Sequence, residues 1–471
     1  MCVPSRGPGG ATVIGRVGPW CGAAKLVRVW KVRGRVANSA PAVGRPAADH
    51  SRRNQQTLNI DSDLLSAVAP IDFDGPRIPL YSAEYAADPH RVYREMRQRF
   101  GSLVPVELAP GVPATLVIGY HTALRILNDP DHFPADPRMW ERNIPADSPI
   151  RPMMEWRPNP LRSAGRDHVR YRSAAASALN QIDLHRLHQT VEAHAIPLIN
   201  SFCADGHCDV ISQFALPLIF ATLNELIGCS PEIGQRAATG MAAMFDTVDA
   251  AAGSRMLSEA LLELTRLKRA EPGADVTSRL VEHSANLDDE EMIHQLVTLY
   301  GAGIEPTQNL IVNTLLLMLT DERFAAGVLD GSLSTRDALD EVLFNDPPMA
   351  NYCISYPRQP ILIEDVWLPA HQPVLISMAG CNNDPAIRTG DFTDNRSHLA
   401  FGTGPHACPI RPGALLIVQD AIDQLLDALP ELELAVPPHE LRWRPGPFNR
   451  SLVSLPVTFP KSPPISVAGI R

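Results

Sequence analysis

From Pro79 onward the apolar positions fall mostly at helical spacing, with a few short stretches that read as strands. Over 85–100, Tyr85, Val92, Met96 and Phe100 are spaced for one face among charged residues, and Asp88-Pro89 offers a cap and a first-turn proline, so a helix is predicted there. Residues 103–108 and 114–119, separated by Pro110-Gly111, read as a hairpin, and 121–128 as a helix. Amphipathic helices are predicted over 184–202, 210–227, 231–245 and 254–268. Residues 292–319 read as one long helix, too apolar to lie on a surface; 413–429 is another. Strands are expected as a pair within 366–378 and again over 432–460. The fold class is therefore mainly α with small β-sheets (α+β).

Composition narrows the picture. In a chain of 471 residues, 45% hydrophobic and 20% charged residues describe a protein able to enclose a cofactor. The net charge of −10 and the lack of a basic, aromatic-interleaved stripe speak against nucleic acid as the main partner. Eight scattered cysteines without a C-x-x-C pair suit a reducing, cytoplasmic setting. The longest apolar run, 310–319, is interrupted by Asn313 and Thr314, so no integral membrane association is expected. Residues 1–57 differ: they are rich in Arg and Lys with Asp49 as the single acid, and 1–60 is expected to be a basic, disordered N-terminal extension, or a tail for an anionic surface.

Candidate chemistry concentrates near the C-terminus, in Phe401-Gly402-Thr403-Gly404-Pro405-His406-Ala407-Cys408-Pro409. Two glycines let a loop lie against a flat cofactor, and backbone N–H groups can then support a cysteine thiolate. A lone cysteine is ordinarily a small buried hydrophobe. Within this run it resembles the ligand of the cytochrome P-450 superfamily, whose signature is F-G-x-G-x-H-x-C-x-G. Phe401, Gly402, Gly404, His406 and Cys408 match, while Ile410 stands where the signature has its last glycine.

The resemblance extends over about residues 79–460 and implies one large haem-thiolate domain, here 61–471, with haem b (iron protoporphyrin IX) bonded to Cys408. His168 and Arg172 stand four apart on one helix face and match the family's H-x-x-x-R, which implies that they and His406 hold haem propionates; a solvated charged face is the alternative. Ala302-Gly303-Ile304-Glu305-Pro306-Thr307 resembles A-G-x-[D/E]-T-[T/S]. Ala302 and Gly303 would let the helix pass close to the cofactor, and Glu305 would carry protons. Pro306 replaces the relay threonine, so a kink with a freed Ala302 carbonyl, a held water and Thr307 is the expected substitute. The alternative is a bent helix with impaired oxygen activation.

Asp340-Glu341-Val342-Leu343-Phe344 lies where the family has E-x-x-R. Phe344 replaces the arginine, so Glu341 is expected to find Arg396 or another donor, or to stay protonated. Arg358 is a further candidate for a propionate, Met241, Met244 and Phe245 for substrate contact, and Arg411 for contact with an electron donor. The resemblance thus implies a monooxygenase acting on a small, apolar molecule with O2 and electrons from a ferredoxin and ferredoxin reductase. The alternatives are a degenerate haem-binding protein with a regulatory or interaction role, and a peroxide-driven or dehydratase-type haem enzyme.

Overall fold

The computed structural model describes residues 76–145, 147–245, 250–324, 333–387 and 395–465. All of them belong to one unit, Leu58–Arg471. The basic stretch 1–60 lies outside the described residues, as do the side chains of Met244 and Phe245.

In chain order the first elements are Ile78–Pro79 (β1), Ala83–Ala87 (α1), Pro89–Phe100 (α2), Leu103–Ala109 (β2), Val112–Val117 (β3), Tyr120–Leu127 (α3) and Arg151–Met154 (α4). The helical body follows with Gly165–Leu179 (α5), Leu184–Asn200 (α6), His207–Asp209 (β4), Leu216–Ile227 (α7), Pro231–Phe245 (α8), Ala250–Ala270 (α9), Val276–Glu282 (α10) and Asp289–Thr320 (α11). The chain continues through Thr335–Asn345 (α12), Asn351–Ser355 (β5), Ile361–Ile363 (β6), Val366–Leu368 (β7), Val374–Ser377 (β8), Met378–Asn382 (α13), Arg411–Ala428 (α14), Glu433–Leu434 (β9) and Pro456–Thr458 (β10). A mixed sheet of order β1-β2-β3-β8-β5 stands beside the helices, with a small β4-β10-β9 sheet and a β6-β7 hairpin apart from it.

Two apolar cores follow from this layout. One joins helices α5–α7, α11, α12 and α14 through side chains such as Phe202, Phe214, Leu296, Tyr300, Leu315 and Val418. The other lies under the sheet, where Val104, Val106, Leu116, Val117, Leu375 and Ile376 are fully buried. Each such aliphatic side chain stabilises by roughly 1.5–3 kcal/mol relative to exposure. Helix α11 runs through the first core; it starts on a capping box in which Asp288 accepts from the Glu291 N–H and Glu291 accepts from the Asp288 N–H.

Local chemistry changed three predictions. The helix expected over 85–100 is two helices, because Pro89 has no N–H for the Tyr85 carbonyl and drives Asp88 out of the helical region. The cap expected at Asp88-Pro89 is present: Asp88 caps α2, accepting from the Arg91 N–H at 2.9 Å. The helix expected over 210–227 begins with a π turn, Ile211–Ala215, and Pro217, which cannot donate to the Gln213 carbonyl, sits at the start of α7. The strands within 366–378 do not pair with each other. Strand β7 pairs with β6 across Glu364 and Asp365, both with positive φ (47° and 63°), whereas β8 joins the main sheet parallel to β3.

Candidate functional site

The loop before α14 is built on Gly402 and Gly404, with φ of +65° and +71°. A Cβ on Gly404 would lie 2.3 Å from the carbonyl oxygen of Leu127, so the loop rests directly on the end of α3. The Cys408 N–H donates to the Phe401 carbonyl at 2.8 Å and closes the loop. The Cys408 sulfur is the acceptor for the Ile410 N–H, in spite of the missing glycine at that position. Burial pushes the thiol up, opposed by that hydrogen bond and by the charges of Arg172 and Arg411. The hydrogen bond and the two positive charges are the features that favour the anionic form of the sulfur against its burial. Arg411 also lies over the Phe401 ring, 5.3 Å from its centroid.

A basic cluster adjoins the sulfur. His168 and Arg172 share one face of α5, and the His168 and His406 rings lie 4.0 Å apart between centroids. Arg172 donates to the Ala407 carbonyl at 2.6 Å. Burial, then the neighbouring His168 and Arg172, push His406 down to about 4, partly offset by a hydrogen bond from its ring to the Pro160 carbonyl. His168 is lowered by burial first and Arg172 second. The charges acting on these three side chains are each other's and the Cys408 sulfur's. His168 Nε2 is buried with no hydrogen-bond partner among the described residues. This partly desolvated basic cluster beside the sulfur, with that nitrogen unpartnered among the described residues, fits an anionic porphyrin.

Helix α11 runs unbroken through Pro306. In the middle of this otherwise packed helix Gly301 and Ala302 are exposed, and a Cβ on Gly301 would meet nothing within 4 Å. The helix therefore turns small residues onto open space there. Gly303 faces protein: its Cβ would lie 3.0 Å from Leu223 of α7. Thr307 is buried. Glu305 forms an ion pair with Arg444, which also donates to Ser451 Oγ at 2.8 Å. Arg444 comes from a far part of the sequence and nothing in its local pattern marks it.

Glu341, expected to find Arg396 or another donor, finds another donor. Glu341 pairs with Arg323 at 2.8 Å. Arg396 instead bonds the neighbouring acid, Asp340, at 3.0 Å, and Asp340 also holds Arg336, four residues earlier on α12, at 3.1 Å. The physical reason is register: Asp340 is buried on the inner face of α12 and Glu341 is turned outward. An arginine one turn before the acid replaces one a turn after it. Phe344 packs edge-on against His398, whose ring lies 6.0 Å from that of Phe401. Asn382 ties α12 to the loop approach, donating to the Leu343 carbonyl at 3.0 Å and accepting from the Leu399 N–H at 2.8 Å. Arg358 is exposed near Asp136, and Met241 packs against the helical core.

A cysteine loop, a basic cluster at its side and a central helix with an open small-residue face together make up the candidate site. The chain belongs to the cytochrome P-450 superfamily, in which the monooxygenases are oxidoreductases that incorporate oxygen. It is 29% identical over 389 residues to the cytochrome P-450 monooxygenase PikC of Streptomyces venezuelae, covering 79% of this chain and 92% of that protein. It is 30% identical over 269 residues to nocardicin C N-oxygenase of Nocardia uniformis subsp. tsuyamanensis, covering 54% and 68%. Among solved structures it resembles CYP154C4 from Streptomyces sp. W2061, with 28% identity, a TM-score of 0.71 and coverage of 81% and 98%. No protein-family model matches the chain. Among the described residues, no helix is long and apolar enough to cross a membrane.

Proposed function

We propose that the chain is a cytoplasmic haem b-thiolate monooxygenase that oxidises a small, largely apolar organic molecule with O2 and electrons from a ferredoxin and its reductase. The observation that carries this reading is the Cys408 sulfur, which accepts from the Ile410 N–H near the charges of Arg172 and Arg411, beside basic side chains of which His168 Nε2 has no hydrogen-bond partner among the described residues. The haem, bonded through Cys408, supplies the activation of oxygen.

The chain's own residues supply the rest. His168, Arg172 and His406 bind the propionates by charge-assisted hydrogen bonds. Phe401, Gly402 and Gly404 shape the loop, and Gly301 and Ala302 leave room for oxygen and substrate. Gly303 sets the close packing of α11 on α7. Pro306 cannot donate to the Ala302 carbonyl, so that oxygen is free to accept from a water. Glu305, with Thr307 two residues along, exchanges protons with such a water when it is released from Arg444.

The same two features favour a second reading, in which peroxide replaces O2 and electrons. The proline removes a hydroxyl from the oxygen side, and Arg444 occupies the acid. Turnover over a substrate panel, with ferredoxin, reductase and NADPH in one arm and hydrogen peroxide in the other, separates the two. Donor-dependent product is expected; product from peroxide alone would establish the second reading. Glu305→Gln is expected to lower the fraction of electrons appearing in product about tenfold or more, and unchanged coupling would exclude the relay.

A further inference from the structure

Residues three and four apart share one face of a helix, so His294, Thr298, Ala302 and Glu305 form a stripe along α11, with Val297 and Gly301 beside it. Ala302 and the neighbouring Gly301 are exposed, whereas Val297 and Thr298 are half-buried. At its N-terminal end the stripe meets the segment 156–159. Asn159 Nδ2 donates to Thr298 Oγ1 at 2.8 Å, and Gln295 Nε2 donates to the Pro158 carbonyl at 3.4 Å.

The two elements that meet here each carry a buried polar atom with no hydrogen-bond partner among the described residues, His294 Nδ1 and Trp156 Nε1. Native structures rarely leave such atoms unpaired unless water or a ligand completes them. Burial first, and the nearby Arg157 second, push His294 down to about 4, so its ring is neutral, with one donor and one acceptor nitrogen. The Arg157 guanidinium is itself bonded to Glu155 at 2.8 Å. A neutral imidazole and an indole N–H suit an uncharged oxygen and leave a carboxylate or an ammonium without compensation.

We infer that the substrate carries a hydroxyl or carbonyl oxygen at the end remote from the carbon oxidised, and that His294 and Trp156 bind it. His294 precedes Ala302 by two turns, which places the oxygen roughly 12 Å along the helix from the reacting end. This rests on the proposed monooxygenase reading, in which Ala302 flanks the reacting carbon. The substrate is thus an elongated, amphiphilic molecule, apolar along its length and polar at one end.

The test compares binding of 1-dodecanol and dodecane to the haem-loaded protein by calorimetry, together with the positions hydroxylated. Wild type is expected to bind the alcohol about tenfold more tightly, the effect of one buried hydrogen bond, and to oxidise it far from the hydroxyl. In His294→Leu the preference should vanish while dodecane affinity stays within about twofold, and hydroxylation should spread along the chain. His294→Gln should retain most of the preference, and Trp156→Phe should reduce it several-fold. If His294→Leu does not fold, His294→Gln and Trp156→Phe carry the test. An equal preference in wild type and His294→Leu, or in wild type and Trp156→Phe when the leucine variant does not fold, would overturn the inference. The reduced, carbon-monoxide-bound spectrum of each protein separates the two levels: a wild type without thiolate ligation defeats the monooxygenase reading, and normal ligation without an alcohol preference defeats only the subsite.

Discussion

The rebuilt ion cluster on α12 makes a quantitative demand. The Asp340 carboxylate receives Arg336 Nε at 3.1 and 3.2 Å and Arg396 Nε at 3.0 Å, and its own side chain is only 7% exposed. Arg396 is 51% exposed, so its pairing is screened and contributes less than about 1 kcal/mol alone. Arg336 is 28% exposed, and its loss should cost about 1–2 kcal/mol while Arg396 still neutralises the acid. Removing both arginines strands a buried carboxylate, at about 3–5 kcal/mol. The double variant Arg336→Leu/Arg396→Leu should therefore be worse than the sum of the singles by about 1 kcal/mol or more. Adding Asp340→Leu should recover most of the loss, because the charge needing compensation is gone. A chain of this size need not unfold in two states. Pulse proteolysis of the haem-free protein in graded urea, comparing midpoints, is the suitable assay. Strict additivity of the two single variants, or no shift in Arg336→Leu, would refute the claim that Arg336 stands in for the missing arginine at position 344.

Three other outcomes are expected. Gly404→Ala should abolish haem uptake, because its Cβ would collide with the Leu127 carbonyl at 2.3 Å. Gly402→Ala, whose Cβ would come no nearer to another residue than 3.3 Å, at Cys353 Sγ, should cost about 1–2 kcal/mol for its left-handed backbone and still load haem; equal haem uptake by the two variants would contradict the geometry. Pro306→Ala restores a donor to the Ala302 carbonyl, so it should raise stability by up to about 3 kcal/mol yet lower the yield of product per electron; unchanged yield would remove the water-holding role of that carbonyl. His398 is buried and held at about 4 by burial first and Arg411 second. An unfolded histidine takes up its proton near 6.5, so folding is fully favoured above that pH and loses about 1.4 kcal/mol per unit for this group as pH falls from 6.5 towards 4. His398→Phe should remove one proton from the slope of urea midpoint against pH, and an identical slope would disprove the assignment.

The candidate residues could be singled out in the sequence, because helical spacing puts His168 beside Arg172 and the resemblance of 401–408 to the family signature, rather than the cysteine or the two glycines by themselves, points to Cys408. The long helix was equally plain, since its apolar run exceeds what a surface helix carries. The Asp340–Arg336 pair was present as an i, i+4 spacing, but which of two adjacent acids faces inward depends on the packing of α12 against its neighbours. The β6-β7 hairpin was hidden for a different reason: its turn places Glu364 and Asp365, neither of them glycine or asparagine, in the left-handed region. Arg444 reaches Glu305 across a long sequence separation, and His294 reads from sequence as one more residue of a helix. Only the meeting of α11 with the segment 156–159 shows that its ring nitrogen has no partner.

The most direct measurement on the central claim is the absorption spectrum of the reduced, carbon-monoxide-bound protein, recorded for wild type and for Cys408→Ala. Thiolate ligation in wild type and its loss in the variant are the expected result. A wild type that takes up no haem, or a variant that keeps the thiolate spectrum, would contradict the assignment of Cys408 as the ligand on which the proposed chemistry depends.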